Sequence, residues 1–145
     1  MANCSIGDAG LRSLEKNFQL NSAANSHPLR VLNVSQNGLT SLGLQPLTKS
    51  SYFSQLRKLF LAQNSFGDND DDGKESACSQ LAAAMRNGPL ASLQELDVSQ
   101  TSCGVEGASA LLGCGLKSLT VLSLFGNHLG SDGFIALSRD LEGGV

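Results

Sequence analysis

Leu93-Gln-Glu-Leu96-Asp-Val98-Ser-Gln-Thr101 is the stretch that decides the fold, because its pattern occurs four times in the chain. Each copy reads L-x-x-L-x-(L/V) and, after two further residues, carries a polar side chain; the other copies begin at Leu29, Leu56 and Leu119. Because strand side chains alternate between two faces, the pattern predicts a short strand with Leu and Val directed inward. One such strand cannot bury its apolar side alone, so we expect the repeats to stack around a continuous core. The central residues expected to be nearly inaccessible are Leu59, Leu96 and Leu122.

A turn and a helix are predicted to follow each strand. Gly104 and Gly107 in the third copy, and Gly130 and Gly133 in the fourth, suit a tight turn, and the apolar residues after them are spaced for a helix with one buried face. The copies start 27, 37 and 26 residues apart. These steps leave room for a strand, a turn, a helix and a return turn.

This arrangement resembles the ribonuclease-inhibitor type of leucine-rich repeat along nearly the whole chain. The resemblance implies an α/β solenoid, a segment of a horseshoe, with parallel strands on the concave face and helices on the convex face. We expect a single domain over residues 1–145, with a half repeat at 4–28 and full repeats beginning at 29, 56, 93 and 119.

The two ends of the chain predict a fragment of a longer array. Cys4 takes the place in the half repeat that Asn127 takes in the last repeat, so the matching strand would lie before Met1. The chain also stops where the next strand is expected to begin, and neither end shows the polar outer face of a capping repeat. The alternative is a short natural protein whose half repeat serves as its own cap.

Composition and charge narrow the kinds of partner. The net charge is −3 and the basic residues form no cluster, which argues against nucleic acid. The start of the chain has no basic-led apolar stretch, and apolar runs are only a few residues long, so neither a secretory signal nor a membrane span is predicted. We expect a protein partner of unknown identity, with no nucleic acid, membrane or small-molecule substrate.

The four cysteines are predicted to be free thiols. Cys4 and Cys103 fall in turns after strands, Cys78 and Cys114 fall in helix-forming stretches, and no spacing typical of secreted proteins is present. Cysteine at such sites behaves as a small buried hydrophobe. This favours a reducing compartment and a cytoplasmic location.

Asn37, Asn64 and Asn127 form a predicted polar row at the ends of the strands. An amide turned inward pairs backbone donors and acceptors that the turn would otherwise bury without partners. We interpret the row as a scaffold ladder rather than a binding site. Thr101 and Cys4 occupy the same place with less hydrogen-bonding capacity, so the ladder is expected to be weakest there.

An acidic insertion at residues 68–75 lengthens the second step. Asp68, Asp70, Asp72 and Gly73 reproduce the first half of a calcium-binding loop, but its twelfth position is Ser79 rather than Glu. We favour a solvated loop over a calcium site.

The sequence shows no nucleophile with a base, no phosphate-binding loop and no metal-ligand set, so we predict neither a catalytic residue nor a cofactor nor a metal.

The candidate binding residues are those that the strands direct away from the core. Phe60 and Phe125 are candidate anchors for a partner, because outward aromatic residues have no core to enter. The alternative is that each packs against a neighbouring strand and is ordinary surface. The residues predicted to bind a protein are Lys58, Phe60, Glu95, Asp97, Val121, Ser123 and Phe125.

The predicted function is a protein-interaction scaffold that is not an enzyme and binds through its concave strands. Family members implied by the resemblance include the GTPase activator for Ran, so a GTPase regulator is an alternative. Arg30 and Arg57, near strand starts, would then be candidates, although edge charges explain them equally well. A purely structural stretch of a larger protein is the other alternative.

Overall fold

The computed structural model describes residues 2–20, 28–66, 76–115 and 117–131, together with positions 133, 135, 138 and 139. Short strands alternate there with helical segments. The strands are β1 (Val31–Asn33), β2 (Lys58–Phe60), β3 (Glu95–Asp97) and β4 (Val121–Ser123). The helices are α1 (Gly7–Leu20), α2 (Gln45–Lys49), α3 (Ala77–Asn87) and α4 (Gly104–Leu112), and 3-10 turns at Ser41–Leu44 and Ser51–Phe53 flank α2.

The strands form one parallel sheet in the order β1-β2-β3-β4. Each begins two residues after a predicted repeat start, and their middle residues Leu32, Leu59, Leu96 and Leu122 are register partners across the sheet. Parallel neighbours require a crossover connection, which is usually helical. α2 and α3 lie in two of these connections and α4 in the third, so the described chain has an α/β fold.

The core lies between the sheet and the helices. The middle strand residues Leu59 and Leu96 are fully buried and share one apolar cluster with Leu81 of α3 and Leu111 of α4. This confirms the prediction for Leu59 and Leu96. The same prediction was wrong for Leu122, which is half-buried. β4 is one of the two edge strands, so β3 is the one described strand that lies beside Leu122.

The asparagine ladder joins neighbouring repeats through buried side-chain amides. Oδ1 of Asn64 accepts from the backbone N–H groups of Asn37 and Leu39 at 3.1 and 3.0 Å, and Nδ2 donates to the carbonyls of Val34 and Leu61 at 3.0 and 2.7 Å. Asn127 repeats this arrangement toward the preceding strand. The structural interpretation of these asparagines is therefore confirmed.

The ladder is weakest at Thr101 and Cys4, as predicted, and Cys4 Sγ donates to the nearby Ala2 carbonyl at 3.4 Å. The Thr101 hydroxyl donates to the Val98 carbonyl of its own repeat at 2.7 Å and lies 3.2 Å from Oδ1 of Asn127 in the following repeat. The backbone N–H of Phe66 bonds instead to the Thr101 carbonyl at 3.0 Å. At this junction a main-chain oxygen takes the place of an asparagine Oδ1.

The prediction of four free thiols was wrong, because Cys78 and Cys103 form a disulfide. Cys78 lies in the first turn of α3 and Cys103 directly precedes α4, and their Cα atoms are 6.1 Å apart, within the range for a disulfide. Gly107 leaves room for the pair, since an added Cβ would lie 2.8 Å from both Cys103 Sγ and Cys78 Cβ. Cys4 and Cys114 are free.

The disulfide also removes the argument that free thiols gave for a cytoplasmic location, because such bonds form mainly in oxidising compartments. Among the helices that the structure describes, none has the length and apolar character needed to cross a membrane.

A matched pair of truncations tests the assignment of β4 as an edge. Leu96→Ala should lower the free energy of unfolding by about 2–5 kcal/mol, because it leaves a cavity in a fully buried site. Leu122→Ala, at the register partner of Leu96, should cost about 1 kcal/mol, because water already reaches this side chain. Urea denaturation measures both. An equal cost for the two variants would show that the far side of β4 is covered in solution.

Cysteine chemistry tests the disulfide. Peptide mapping of the non-reduced protein should find Cys78 linked to Cys103, and alkylation should label exposed Cys4 rapidly and buried Cys114 slowly. Burial raises the pKa of the Cys114 thiol, opposed by the positive charge of Arg86, so little reactive thiolate is present at neutral pH. Cys114 labelling should therefore accelerate as the pH rises toward that raised pKa. Alkylation of all four cysteines in the native, non-reduced protein would contradict the assignment.

Candidate protein-binding face

The outer face of the sheet is the surface formed by the first and third residues of each strand and by the residue two positions after the strand ends. The strand register arranges these residues in three rows across the sheet. The rows are Val31, Lys58, Glu95 and Val121; then Asn33, Phe60, Asp97 and Ser123; then Ser35, Ala62, Ser99 and Phe125. All seven predicted binding residues thus lie on one face.

Lys58 and Glu95 form an ion pair in the first row. Their Nζ and Oε2 atoms are 2.7 Å apart, and their side chains remain 49% and 25% exposed. The residues at the two ends of this row, Val31 and Val121, are about half exposed. The first row therefore presents a neutralised charge pair between two small apolar side chains.

Phe60 occupies the centre of the outer face. Its register partners are Asn33 on β1 and Asp97 on β3. The side chains of these partners turn back to the main chain: Oδ1 of Asn33 accepts from the N–H of Ser35 at 3.0 Å, and Oδ1 of Asp97 accepts from the N–H of Ser99 at 2.9 Å. Phe60 is half-buried, so part of its surface is packed and the rest is open to a partner.

Phe125 lies at a corner of the outer face and is 74% exposed. It also borders a cleft of about 580 Å³ at the β4 end, which is lined largely by apolar residues including Leu112, Leu122, Leu124 and Leu129. Phe60 lies on β2 and Phe125 follows β4, so β3 lies between them and their strand axes are roughly 10 Å apart. The two aromatic residues share a face but do not form one cluster.

Hydroxyl groups occupy the surface between the two aromatic residues. Ser123 Oγ and Ser99 Oγ are hydrogen-bonded at 2.6 Å, and Ser123 is the register partner of Asp97. Ser99 and Ala62, its neighbour in the third row, are both small. This part of the face can therefore admit a side chain of a partner without first displacing a bulky residue.

A glutamine row along one border of the outer face was missed in the sequence. Gln36 donates through Nε2 to Gln63, and Gln63 Nε2 donates to Gln100 Oε1 at 2.6 Å. All three have positive φ values of 53–57°, in the left-handed region. The available signal was a Gln directly before the ladder position in three repeats; Gly126 takes that position in the fourth.

Two arginines hold turns through bonds to backbone carbonyls. Arg57, one of the two arginines considered as candidates for a GTPase regulator, donates through Nη1 to the Ser92 carbonyl at 2.9 Å. Arg86 donates to the carbonyls of Gly113 and Cys114 and so holds the turn after α4.

Within the described ranges, no three His, Cys, Asp or Glu side chains are grouped to hold a metal ion. The aspartates of the acidic insertion, Asp68, Asp70 and Asp72, lie outside those ranges.

A double-mutant cycle on Lys58 and Glu95 measures the strength of their ion pair. We expect a coupling free energy of about 0.2–1 kcal/mol from the single and double alanine variants, because both side chains are partly exposed. The coupling should decrease as salt rises, since ions screen exposed charges. A coupling above about 3 kcal/mol that persisted at high salt would instead indicate a desolvated pair.

Two segments of the chain match a family model described as Leucine Rich repeat, at residues 25–47 and 115–138. These segments contain β1 and β4 with the asparagines Asn37 and Asn127 that follow them. No curated protein matches the sequence. Leucine-rich repeats commonly mediate protein–protein interactions and are generally not enzymes. The two matches, together with the parallel sheet and its helices, support a leucine-rich repeat protein with an α/β fold.

Proposed function

We propose that the protein is a non-enzymatic scaffold of the ribonuclease-inhibitor type, which binds a protein partner through the outer face of its sheet. In this proposal the outer face is the concave surface of a solenoid. The contact residues are Lys58, Phe60, Glu95, Asp97, Val121, Ser123 and Phe125.

The observation that carries the proposal is the position of Phe60. It is an aromatic residue at the centre of a sheet face that the described helices leave open, with the Lys58–Glu95 pair in the next row. Protein interfaces concentrate binding energy in a few central aromatic or arginine residues, surrounded by polar residues that exclude water. The outer face has this composition, and its residues are not needed to fill the core.

Phe125 and Val121 supply a second apolar contact at the edge. Both are exposed on β4 or just after it, and Phe125 adjoins the apolar cleft at that end. A partner that covers Phe60 and extends across β4 would bury both aromatic residues. The hydroxyls of Ser99 and Ser123 lie between them and supply polar contacts.

The bond from Arg57 to the Ser92 carbonyl argues against a GTPase regulator that acts through Arg57. A regulator that acted through Arg57 would have to break this bond before the guanidinium could reach a nucleotide.

A cytoplasmic location, which forms part of the proposal, requires that the Cys78–Cys103 pair be kept reduced there.

Alanine variants of the two aromatic residues test the proposal. The partner is captured from a lysate, identified by mass spectrometry, and titrated against each purified variant. Phe60→Ala and Phe125→Ala should each weaken binding by about 2 kcal/mol or more if they are anchors. Thermal unfolding should show that Phe125→Ala changes stability by less than about 1 kcal/mol, because its side chain is mostly exposed.

The matched controls are Arg12→Ala on α1 and Arg139→Ala near the C-terminus, both exposed residues away from the sheet. They should leave the affinity unchanged. If the control substitutions lower the affinity and both aromatic substitutions leave it unchanged, the binding surface lies elsewhere and the proposal is rejected.

A further inference from the structure

We propose that Asp97 and the ring of Phe60 together form the anchor site for an arginine side chain of the protein partner. This inference rests on the proposed function, because it concerns the same face. It predicts that the partner presents a basic segment to the centre of the sheet.

The charge balance of the outer face leaves Asp97 uncompensated. The strand positions of this face carry three charged residues, Lys58, Glu95 and Asp97. Lys58 and Glu95 neutralise one another at 2.7 Å, and theirs is the single ion pair among the residues that the structure describes. The remaining charge is therefore the negative charge of Asp97, and a cationic group is its electrostatic complement.

The local turn does not require that charge. Asn33 occupies the same strand position as Asp97 two strands away, and its amide oxygen makes the same bond to the N–H two residues on. The bond therefore needs one side-chain oxygen, which either residue supplies, and Phe60 at the same position of β2 does without it. In Asp97 that bond uses Oδ1, and Oδ2 is left to accept from a partner.

Phe60 makes the site specific for a planar cation. Phe60 and Asp97 are register partners on strands that lie about 4.8 Å apart. A guanidinium bound to Asp97 would thus lie within the roughly 6 Å at which a cation interacts with an aromatic face. Arginine stacks on aromatic rings and binds carboxylates through its fork of N–H donors, whereas lysine offers a compact point charge.

Ser123 completes the set of acceptors. It is the register partner of Asp97 on the other side from Phe60, and its hydroxyl oxygen lies beside that of Ser99. A guanidinium has five N–H donors, more than one carboxylate can accept. A metal ion fits less well, because Asp97 belongs to no group of three potential metal ligands among the described residues.

The experiment uses two synthetic pentapeptides that differ at one position, one with arginine and one with citrulline, which has a similar shape without the charge. Titration into the isotopically labelled full chain is followed by NMR. The arginine peptide should shift the amide signals of Phe60, Asp97, Ser99 and Ser123, with an affinity about fivefold above that of the citrulline peptide. Equal shifts with both peptides would overturn the inference.

Three variants separate a local site from the overall charge of the protein. Asp97→Asn keeps the turn bond and removes the charge, so the preference for arginine should disappear. Glu106→Gln on α4 removes one negative charge from an exposed position elsewhere and should preserve that preference. Asn33→Asp places a second carboxylate beside Phe60 and should raise the affinity for arginine. The inference fails if Asp97→Asn and Glu106→Gln behave alike.

The natural partner distinguishes failure of this inference from failure of the proposed function. Asp97→Asn should weaken partner binding about fivefold, and the loss should shrink at high salt. A partner that loses affinity with Phe60→Ala and Phe125→Ala but not with Asp97→Asn overturns the arginine site alone. If all three substitutions leave the affinity of the partner unchanged, the assignment of the binding face is wrong as well.

Discussion

The buried asparagine amide at the end of a strand is the interaction on which the rest of the structure depends. The residue before it, such as Gln63 before Asn64, adopts a left-handed backbone conformation that turns the chain out of the strand. Buried backbone N–H groups in such turns need acceptors, and each one left unpaired costs about 1–3 kcal/mol. Asn64 supplies an acceptor for two of them and donates to two carbonyls, one on each side of the junction. A shift of one residue between the strands would break the three of these bonds that cross to the preceding repeat.

This fixed register explains why a surface with binding potential can form on such short strands. The leucines at the middle positions fill the core and the asparagines hold the turns, so the outward positions contribute little to either. Their side chains can therefore vary without loss of the fold, while the register still aligns them in rows. Phe60, Asp97 and the Lys58–Glu95 pair are neighbours because Leu59 and Leu96 are neighbours.

The features that could be predicted from sequence are those that each repeat determines by itself. The alternation around Leu59 and Leu96 and the amide at Asn64 have one structural solution, and they were placed correctly. Leu96 and Leu122 stand in the same local pattern, however, and differ only in whether another strand covers them. The partial burial of Phe60 and the hydrogen bonds between Gln63 and Gln100 likewise depend on the neighbouring repeat. Local sequence carries little information about such contacts.

The Cys78–Cys103 disulfide could not be predicted from one repeat, because it depends on how two neighbouring repeats pack together. Its cysteines are 25 residues apart in sequence, one in the first turn of α3 and one directly before α4, and the packing of these two helices side by side brings their N-terminal ends together. The bond lies at the junction between the repeats that begin at 56 and 93, where Thr101 replaces the asparagine of the ladder. On the turn side, this junction relies on the main-chain bond from Phe66 to Thr101. On the helix side, the disulfide joins the same two repeats covalently and restricts the unfolded chain. The junction with the weakest side-chain ladder is thus the one that carries the covalent link.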